Sequence, residues 1–300
     1  MAVSDLHFGT PAANSHLRVV RELDELREGL DQCRSQGQRI VLVPTMGNLH
    51  AGHMALVRAA RELGDLVITT IFVNPFQFAP TEDFDSYPRT FETDLQMLAE
   101  HGCDVVFAPS GDVVYPLGPD EISRVSVPGL GDILCGASRP GFFRGVATVV
   151  NILLNMVQPQ VAMFGEKDYQ QLLIVRRMVA DLKLRVKIES VATVRESDGL
   201  AMSSRNGYLT IEERARAPVL YQVLTAARAA LLSGQCELGA IRGPALSKLA
   251  EAGFEADYFE VRRRLDLSHI NLEDGAHQGQ LIVLAAAKLG SARLIDNIIA

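Results

Sequence analysis

Residues 40–53, Ile-Val-Leu-Val-Pro-Thr-Met-Gly-Asn-Leu-His-Ala-Gly-His, constrain the fold more than any other stretch. Ile40 to Val43 is an apolar run with the length of a buried parallel strand. Pro44 has no N–H for a sheet ladder, so the strand is expected to stop there. Gly47 permits a tight turn. From His53 onward, Leu56, Val57, Ala60 and Leu63 recur at helical spacing. The reading is strand, glycine-containing loop, helix, with His50 and His53 at the junction. A helix N-terminus offers unpaired N–H groups and partial positive charge, which suits phosphate. Two imidazoles three residues apart can add hydrogen bonds or charge to the same anion. Alone, the pattern also fits a turn histidine and a helix-start histidine with no ligand.

The alternation continues along the chain. Leu17 to Cys33 reads as a helix with Val20, Leu23, Leu26 and Leu30 on one stripe. Leu66 to Val73 is a β-branched, apolar strand that ends at the turn signal Asn74-Pro75. Open α/β sheets bind ligands at that end of a strand, so Asn74 and Gln77 are candidate site residues. A plain turn cap at Asn74 fits the spacing equally well. Residues 80–89 read as a polar loop or lid, and Thr90 as the cap of a helix over 92–101. Val105–Phe107 is a short strand, 112–140 is irregular, and Val146–Val157 is an apolar helix. Strands at Val161–Phe164 and Val186–Val194 flank a helix that reaches Asp181. This implies an α/β fold, a doubly wound parallel sheet with helices on both faces. Around Arg195 the character changes. A helix over 210–232, another over 238–251, and strands at 254–261 and 280–285 imply a smaller α+β C-terminal domain. The expected domains are therefore 1–192 and 193–300, the second acting as a lid.

Two further stretches can carry chemistry. Gly165-Glu166-Lys167-Asp168 follows a strand directly, as the histidine loop does. Lys167 can place a point charge on phosphate oxygens, Asp168 can bind a hydroxyl, and Gln171 lies one turn along the same side of the helix. A surface helix start with acids near the dipole is the bland alternative. Met202-Ser203-Ser204-Arg205 sets two hydroxyls and a guanidinium on a turn-flanked loop, a polyphosphate clamp or a plain loop. The net charge of −7 argues against a general nucleic-acid binder. Four scattered cysteines, Cys33, Cys103, Cys135 and Cys236, form no metal or redox motif and suit a reducing compartment. The first 15 residues lack a secretory pattern, and no apolar run is long enough to span a bilayer. A cytoplasmic location is expected, with no membrane partner.

His50-Ala-Gly-His53 resembles the signature of nucleotidyltransferases and class I aminoacyl-tRNA synthetases. Met202–Arg205 resembles, distantly, the mobile loop that works with it. The blocks Pro44–His53, Ile71–Phe78, Tyr87–Thr90, Gly165–Gln171, Asp198–Asn206 and Arg293–Asn297 together resemble the pantothenate synthetase family, in order, over almost the whole chain. The resemblance implies a Rossmann-like fold of the nucleotidyltransferase type. It implies an acid–amino-acid ligase that forms AMP: pantoate and ATP give a pantoyl adenylate and pyrophosphate, and β-alanine then gives pantothenate and AMP. ATP with Mg²⁺, a cytoplasmic setting and a homodimer come with it. ATP contacts carry over to Met46, Gly47, Asn48, Leu49, His50, Ala51, Gly52, His53, Gly165, Glu166, Lys167, Asp168, Val194, Met202, Ser203, Ser204 and Arg205. Pantoate and β-alanine contacts carry over to Gln77, Gln171 and Asn74, and catalytic roles to His53, His50, Lys167 and Arg205. Two departures stand out. Phe142 occupies the place of a histidine that the family usually has in an Arg-Pro-x-His-Phe block. The acidic cluster after Tyr87–Thr90 is thinned to Glu92 and Asp94, so no Mg²⁺ ligand is assigned. The Asn74-Pro-x-Gln77-Phe block and both glutamines argue against transfer of a nucleotide to a phosphorylated acceptor, which would call for more arginine there. A tRNA synthetase fragment would call for a basic surface. A nucleotide-binding protein without turnover is the reading from outside enzymology.

Overall fold

The computed structural model describes residues 17–78, 84, 87–118, 121–235, 237–270 and 279–300. Expectations for residues 1–15, for most of 80–89 and for Cys236 fall outside them. In chain order the elements are β1 (Arg18–Val20), α1 (Leu23–Ser35), β2 (Ile40–Thr45), α2 (Ala51–Leu63), β3 (Leu66–Ile71), α3 (Phe91–Glu100), β4 (Val105–Phe107), the single turns α4 (Gly111–Val114) and α5 (Cys135–Ser138), α6 (Phe142–Val157), β5 (Val161–Gly165), α7 (Tyr169–Asp181), β6 (Lys187–Val191), α8 (Ile211–Arg216), α9 (Val219–Leu232), α10 (Leu238–Glu251), β7 (Glu255–Arg263), β8 (Leu281–Leu289) and β9 (Ala292–Ile299). Among the described residues no helix is long and apolar enough to cross a membrane.

The chain divides into two compact units. The first comprises residues 1–131, 139–165 and 174–191. It carries a six-stranded sheet in the order β1-β4-β3-β2-β5-β6, parallel throughout. The order runs outward from β2 through β3 and β4 on one side and through β5 and β6 on the other. The point of reversal lies between the carboxyl ends of β2 and β5, where doubly wound sheets open a crevice. Val41, Val43, Val67 and Val106 on the strands pack with Met54, Val57 and Ala60 of α2 and Leu98 of α3. Ile40 and Leu42 alternate to the opposite face, also fully buried, and α6 packs against β2. This is the doubly wound sheet that the alternation implied.

Three local expectations are corrected. The first helix was expected from Leu17, but Arg18–Val20 is a strand paired with β4, and the helix begins at Leu23. The β-branched pair Val19-Val20 favours the strand. β2 does not stop at Pro44; it continues to Thr45, paired with β3. The ladder to β5 covers only Val41 and Leu42, so beyond them one side of β2 makes no demand for an N–H. The helix expected over 210–232 is two helices, divided where Ala217 meets Pro218, whose ring cannot continue an uninterrupted ladder.

The second unit comprises residues 132–138, 166–173 and 192–300. Its three-stranded antiparallel sheet β7-β8-β9 packs against α9 and α10 through Leu220, Leu224, Ile241, Leu249, Phe259 and Val283. β9 adds a strand that the sequence reading left unassigned. The early segments belong here by their bonds. The buried Gln170 amide donates to the Ile133 carbonyl at 2.7 Å and accepts the Cys135 N–H at 3.2 Å. Cys135 Sγ lies 3.1 Å from the Tyr258 hydroxyl, and Arg293 bonds both Ser138 Oγ (3.2 Å) and Asp257 (2.6 Å).

Candidate active site

The candidate residues fall into one set in each unit. In the first unit, β2 delivers the chain into the loop Met46–His50. Gly47 (φ +80°) and Asn48 (φ +50°) both adopt the left-handed conformation, open to glycine and tolerated by asparagine. A Cβ on Gly47 would also stand 3.1 Å from Asp94 Oδ2 and from Ile71 Cγ2, so the position is tight as well as twisted. What holds the loop is Asp94, only 1 % exposed. Its carboxylate accepts the Asn48 N–H at 2.9 Å, the Leu49 N–H at 2.8 Å and the Thr90 hydroxyl at 3.0 Å. Thr90 thus reaches Asp94 instead of capping α3 through its own side chain. Leu49 anchors the loop in the core, while Met46 stays half-buried.

His50 is the N-cap of α2, which starts at Ala51 rather than at His53. Its Nδ1 accepts the Gly52 N–H at 3.1 Å, and His53 Nδ1 accepts the His50 N–H at 3.2 Å. The rings lie 4.1 Å apart, tilted by 45°. A nitrogen that accepts an N–H carries no proton, so each neutral ring bears its proton on Nε2. Burial of Met54 and Val57 contributes about 3–6 kcal/mol to α2, against about 1 kcal/mol for a cap. The histidines therefore set where the helix starts, and packing decides that it forms. Helix-start and ligand-facing readings of these residues are compatible, because the cap uses only the near nitrogen of each ring.

After β3, Asn74 is fully buried and Gln77 half-buried. Asn74 Oδ1 accepts the Phe76 N–H at 3.3 Å, capping the turn Pro75–Gln77, and the Tyr115 hydroxyl at 2.7 Å. Asn74 Nδ2 donates to the Gly145 carbonyl at 3.2 Å and to Gln77 Oε1 at 3.0 Å. Arg139 Nη2 donates to the Gln77 carbonyl at 2.9 Å, and its guanidinium lies 3.7 Å from the centroid of the Phe142 ring. At the position where the resemblance led a histidine to be expected, Phe142 thus carries a cation stacked on its aromatic face.

In the second unit, Glu166–Asp168 form one tight turn directly after Gly165. Asn297 Nδ2 donates to the carbonyls of Glu166 and Lys167, both at 2.9 Å. Lys167 Nζ lies 3.6 Å from Asp168 Oδ2, and Gln171 sits half-buried in the first turn of α7. Asp296 and Arg195 form a two-pronged ion pair at 2.6 and 3.0 Å. Burial pushes the Asp296 carboxyl above its ordinary range, against the pull of Arg195 and the charge of Lys167. Around the Asp198-Gly199 turn, the Met202 N–H donates to the Val194 carbonyl at 3.0 Å, and Arg195 Nη1 to the Gly199 carbonyl at 3.1 Å. Ser203 Oγ accepts the Arg205 N–H at 3.2 Å and caps the turn Ser204–Tyr208. Lys167, Ser203, Asn206 and Asp296 line one small pocket of this unit.

Sequence reasoning missed the supports: Asp94, Tyr115, Arg195, Asp296 and Asn297. Asp94 carried a signal as an acid in the first turn of a helix, and Asp296-Asn297 lay in a block matched to the family. Neither signal pointed to the partner.

The chain matches the family described as pantoate-beta-alanine ligase over residues 18–299. It is 54 % identical to a pantothenate synthetase of Nitrosococcus oceani, covering 94 % of this chain and 97 % of that protein. It is 50 % identical to one of Pseudomonas aeruginosa, covering 94 % and 98 %. A crystal structure of pantothenate synthetase from Thermus thermophilus superposes with a TM-score of 0.87 at 44 % identity, covering 94 % of this chain and 99 % of that one. The Francisella tularensis pantoate-beta-alanine ligase, described in complex with beta-gamma ATP and beta-alanine, gives 0.77 at 31 % identity, covering 94 % and 97 %. The chain therefore belongs to the pantoate–β-alanine ligase family.

Proposed function

We propose that the protein joins pantoate and β-alanine, driven by ATP, to give pantothenate through a bound pantoyl adenylate. The observation that carries this is the family match over residues 18–299. In the first half-reaction a pantoate carboxylate oxygen attacks the α-phosphorus of ATP, and pyrophosphate leaves with the bridging oxygen. In the second, the β-alanine amine attacks the acyl carbon, the acyl–phosphate bond breaks, AMP leaves, and the amine proton passes to solvent. The substrate carboxylate is the nucleophile, so no nucleophilic side chain is needed. Two anions must meet, and the demand on the protein is charge neutralisation and in-line placement.

In this reading His50 and His53 act as Nε2–H donors to the reacting phosphate, and Lys167 as a point charge on phosphate oxygens. Ser203, Ser204 and Arg205 hold the leaving pyrophosphate. Backbone of Met46–Gly52 and Gly165–Asp168, with Val194 and Met202, receives the nucleotide. Gln77 and Gln171 meet the hydroxy acid through their amides, and Asn74, whose own amide is taken up by protein partners, serves it from behind Gln77. ATP enters as its Mg²⁺ complex. Asp94 is committed to loop N–H groups, which fits a metal held mainly by substrate phosphates. The reading extends to a cytoplasmic homodimer, checked by sedimentation equilibrium and fractionation.

The deciding experiment is exchange of labelled pyrophosphate into ATP without β-alanine. Exchange that requires pantoate and Mg²⁺ is expected, followed by AMP and pantothenate once β-alanine is added. Intact ATP binding with no exchange would overturn the reading.

A further inference from the structure

The hydrogen-bond pattern around Asn74 decides which end of the Gln77 amide is presented to a substrate. Asn74 lies between two backbone groups of opposite kind. The Phe76 N–H points at one end of its side chain (3.3 Å) and the Gly145 carbonyl at the other (3.2 Å). Reversing the amide would set donor against donor and acceptor against acceptor, so the oxygen must face Phe76 and the NH₂ must face Gly145. The second hydrogen of that NH₂ points at the Gln77 side chain, 3.0 Å away. The atom of Gln77 that meets it must be an acceptor, Oε1. The Gln77 NH₂ is then the end turned away from Asn74, and Nε2 has no hydrogen-bond partner among the described residues.

Tyr115 closes the chain of constraints. Its hydroxyl donates to Asn74 Oδ1 at 2.7 Å, the shortest bond in the group. Its ring is 4 % exposed and meets Phe72 and Phe76 edge-on, with centroids 5.8 and 5.1 Å away. Burial raises the tyrosine pKa well above its ordinary value, so the hydroxyl keeps its proton and remains a donor over the working range. Gly145 brings the helix into reach: a Cβ there would overlap the Phe76 carbonyl.

We propose that Tyr115 and Asn74 form a relay that locks the Gln77 amide with its NH₂ outward, making this position a hydrogen-bond donor that selects an acceptor oxygen of the acid substrate. Tyr115 is a positioning residue in this scheme and touches no substrate. The inference rests on the assignment of Gln77 to the hydroxy-acid pocket. It adds the polarity of the contact: Gln77 donates a hydrogen bond to a carboxylate or hydroxyl oxygen of the substrate and does not accept one from it. A site built around a fixed donor rejects analogues that offer no acceptor there.

The test begins with wild-type pyrophosphate exchange driven by pantoate, which checks the underlying assignment. Tyr115→Phe keeps the ring and removes only the hydroxyl. It is expected to raise the pantoate KM about tenfold, leaving kcat and the KM values for ATP and β-alanine within about twofold. A purely structural role would move thermal stability and all three KM values together. Gln77→Met and Gln77→Glu then separate donor from acceptor. Gln77→Met loses the bond, whereas Gln77→Glu turns an anionic acceptor toward the substrate, so pantoate should bind the Glu variant more weakly than the Met variant. Wild-type exchange with pantoate but an unchanged pantoate KM in Tyr115→Phe would overturn the relay and leave the assignment standing. Gln77→Glu binding pantoate better than Gln77→Met would overturn the polarity. No pantoate-driven exchange in the wild type would overturn the assignment itself.

Discussion

The near nitrogen of each histidine is spent on the backbone, and this separates two roles that a plain alanine substitution would mix. In His53→Asn the side-chain oxygen takes the place of Nδ1 and keeps the bond to the His50 N–H, but the distant donor is lost. In His53→Gln the distant NH₂ is retained, and Oε1 can reach back to the His50 N–H as glutamine does at this helix position. The expected outcome is that His53→Asn unfolds in urea like the wild type while pantoate-driven exchange falls about a hundredfold, as for loss of one donor to developing charge. His53→Gln should likewise unfold like the wild type and keep more of the exchange. Motif residues of this kind were legible because the chemistry fixes their type and spacing. Their supports were not. Asp94 is 46 positions from Asn48, and nothing in a linear pattern reports that a buried carboxylate and a backbone N–H meet.

At the level of elements, the approach of α6 to the turn Pro75–Gln77 depends on one residue without a side chain. Gly145→Ala would push α6 away from that turn and stretch the Asn74 bond to the Gly145 carbonyl. A cost of about 1–3 kcal/mol in urea unfolding is expected, with a rise in pantoate KM. The hairpin around Gly199 offers a second test through the Arg195–Asp296 pair. Arg195→Met would leave a buried carboxylate without its counter-charge, at a cost of about 3–5 kcal/mol near neutral pH. Burial already holds that carboxyl above its ordinary value, and loss of Arg195 raises it further. A carboxyl whose folded pKa exceeds its unfolded one penalises folding only where it is ionised. The deficit of the variant should therefore shrink as pH falls through the raised folded value, measured by denaturant unfolding across the acid range. Strong periodicity made β2, β3, α2 and α6 legible. The three-residue β1 was hidden because Val20 also fits a helical stripe, and Pro44 misled because the missing ladder partner on one side of β2 is a tertiary fact.

Over the whole molecule, sequence order and spatial membership disagree in two places. Residues 132–138 and 166–173 precede position 192 but belong to the second unit. A change of composition near residue 193 could suggest a boundary, yet it could not show that earlier segments cross it. Residues 193–300 expressed alone would lack Cys135 beside Tyr258, Ser138 beside Arg293, and the turn that Asn297 holds. Such a fragment should show lower hydrogen-exchange protection in β7 and β9 than the full chain, and co-expression with 1–192 should restore it. The same arrangement has a consequence for synthesis. Asn297 lies 130 positions beyond Lys167, so at ordinary elongation rates on the order of ten seconds separate the emergence of the lysine from that of the asparagine that fixes its turn. During that interval a nascent chain can have its parallel sheet and its capped histidines but not a held Lys167. Catalytic competence would then be the last property the polypeptide acquires on the ribosome, and a prematurely terminated product would fold in part without turning over ATP.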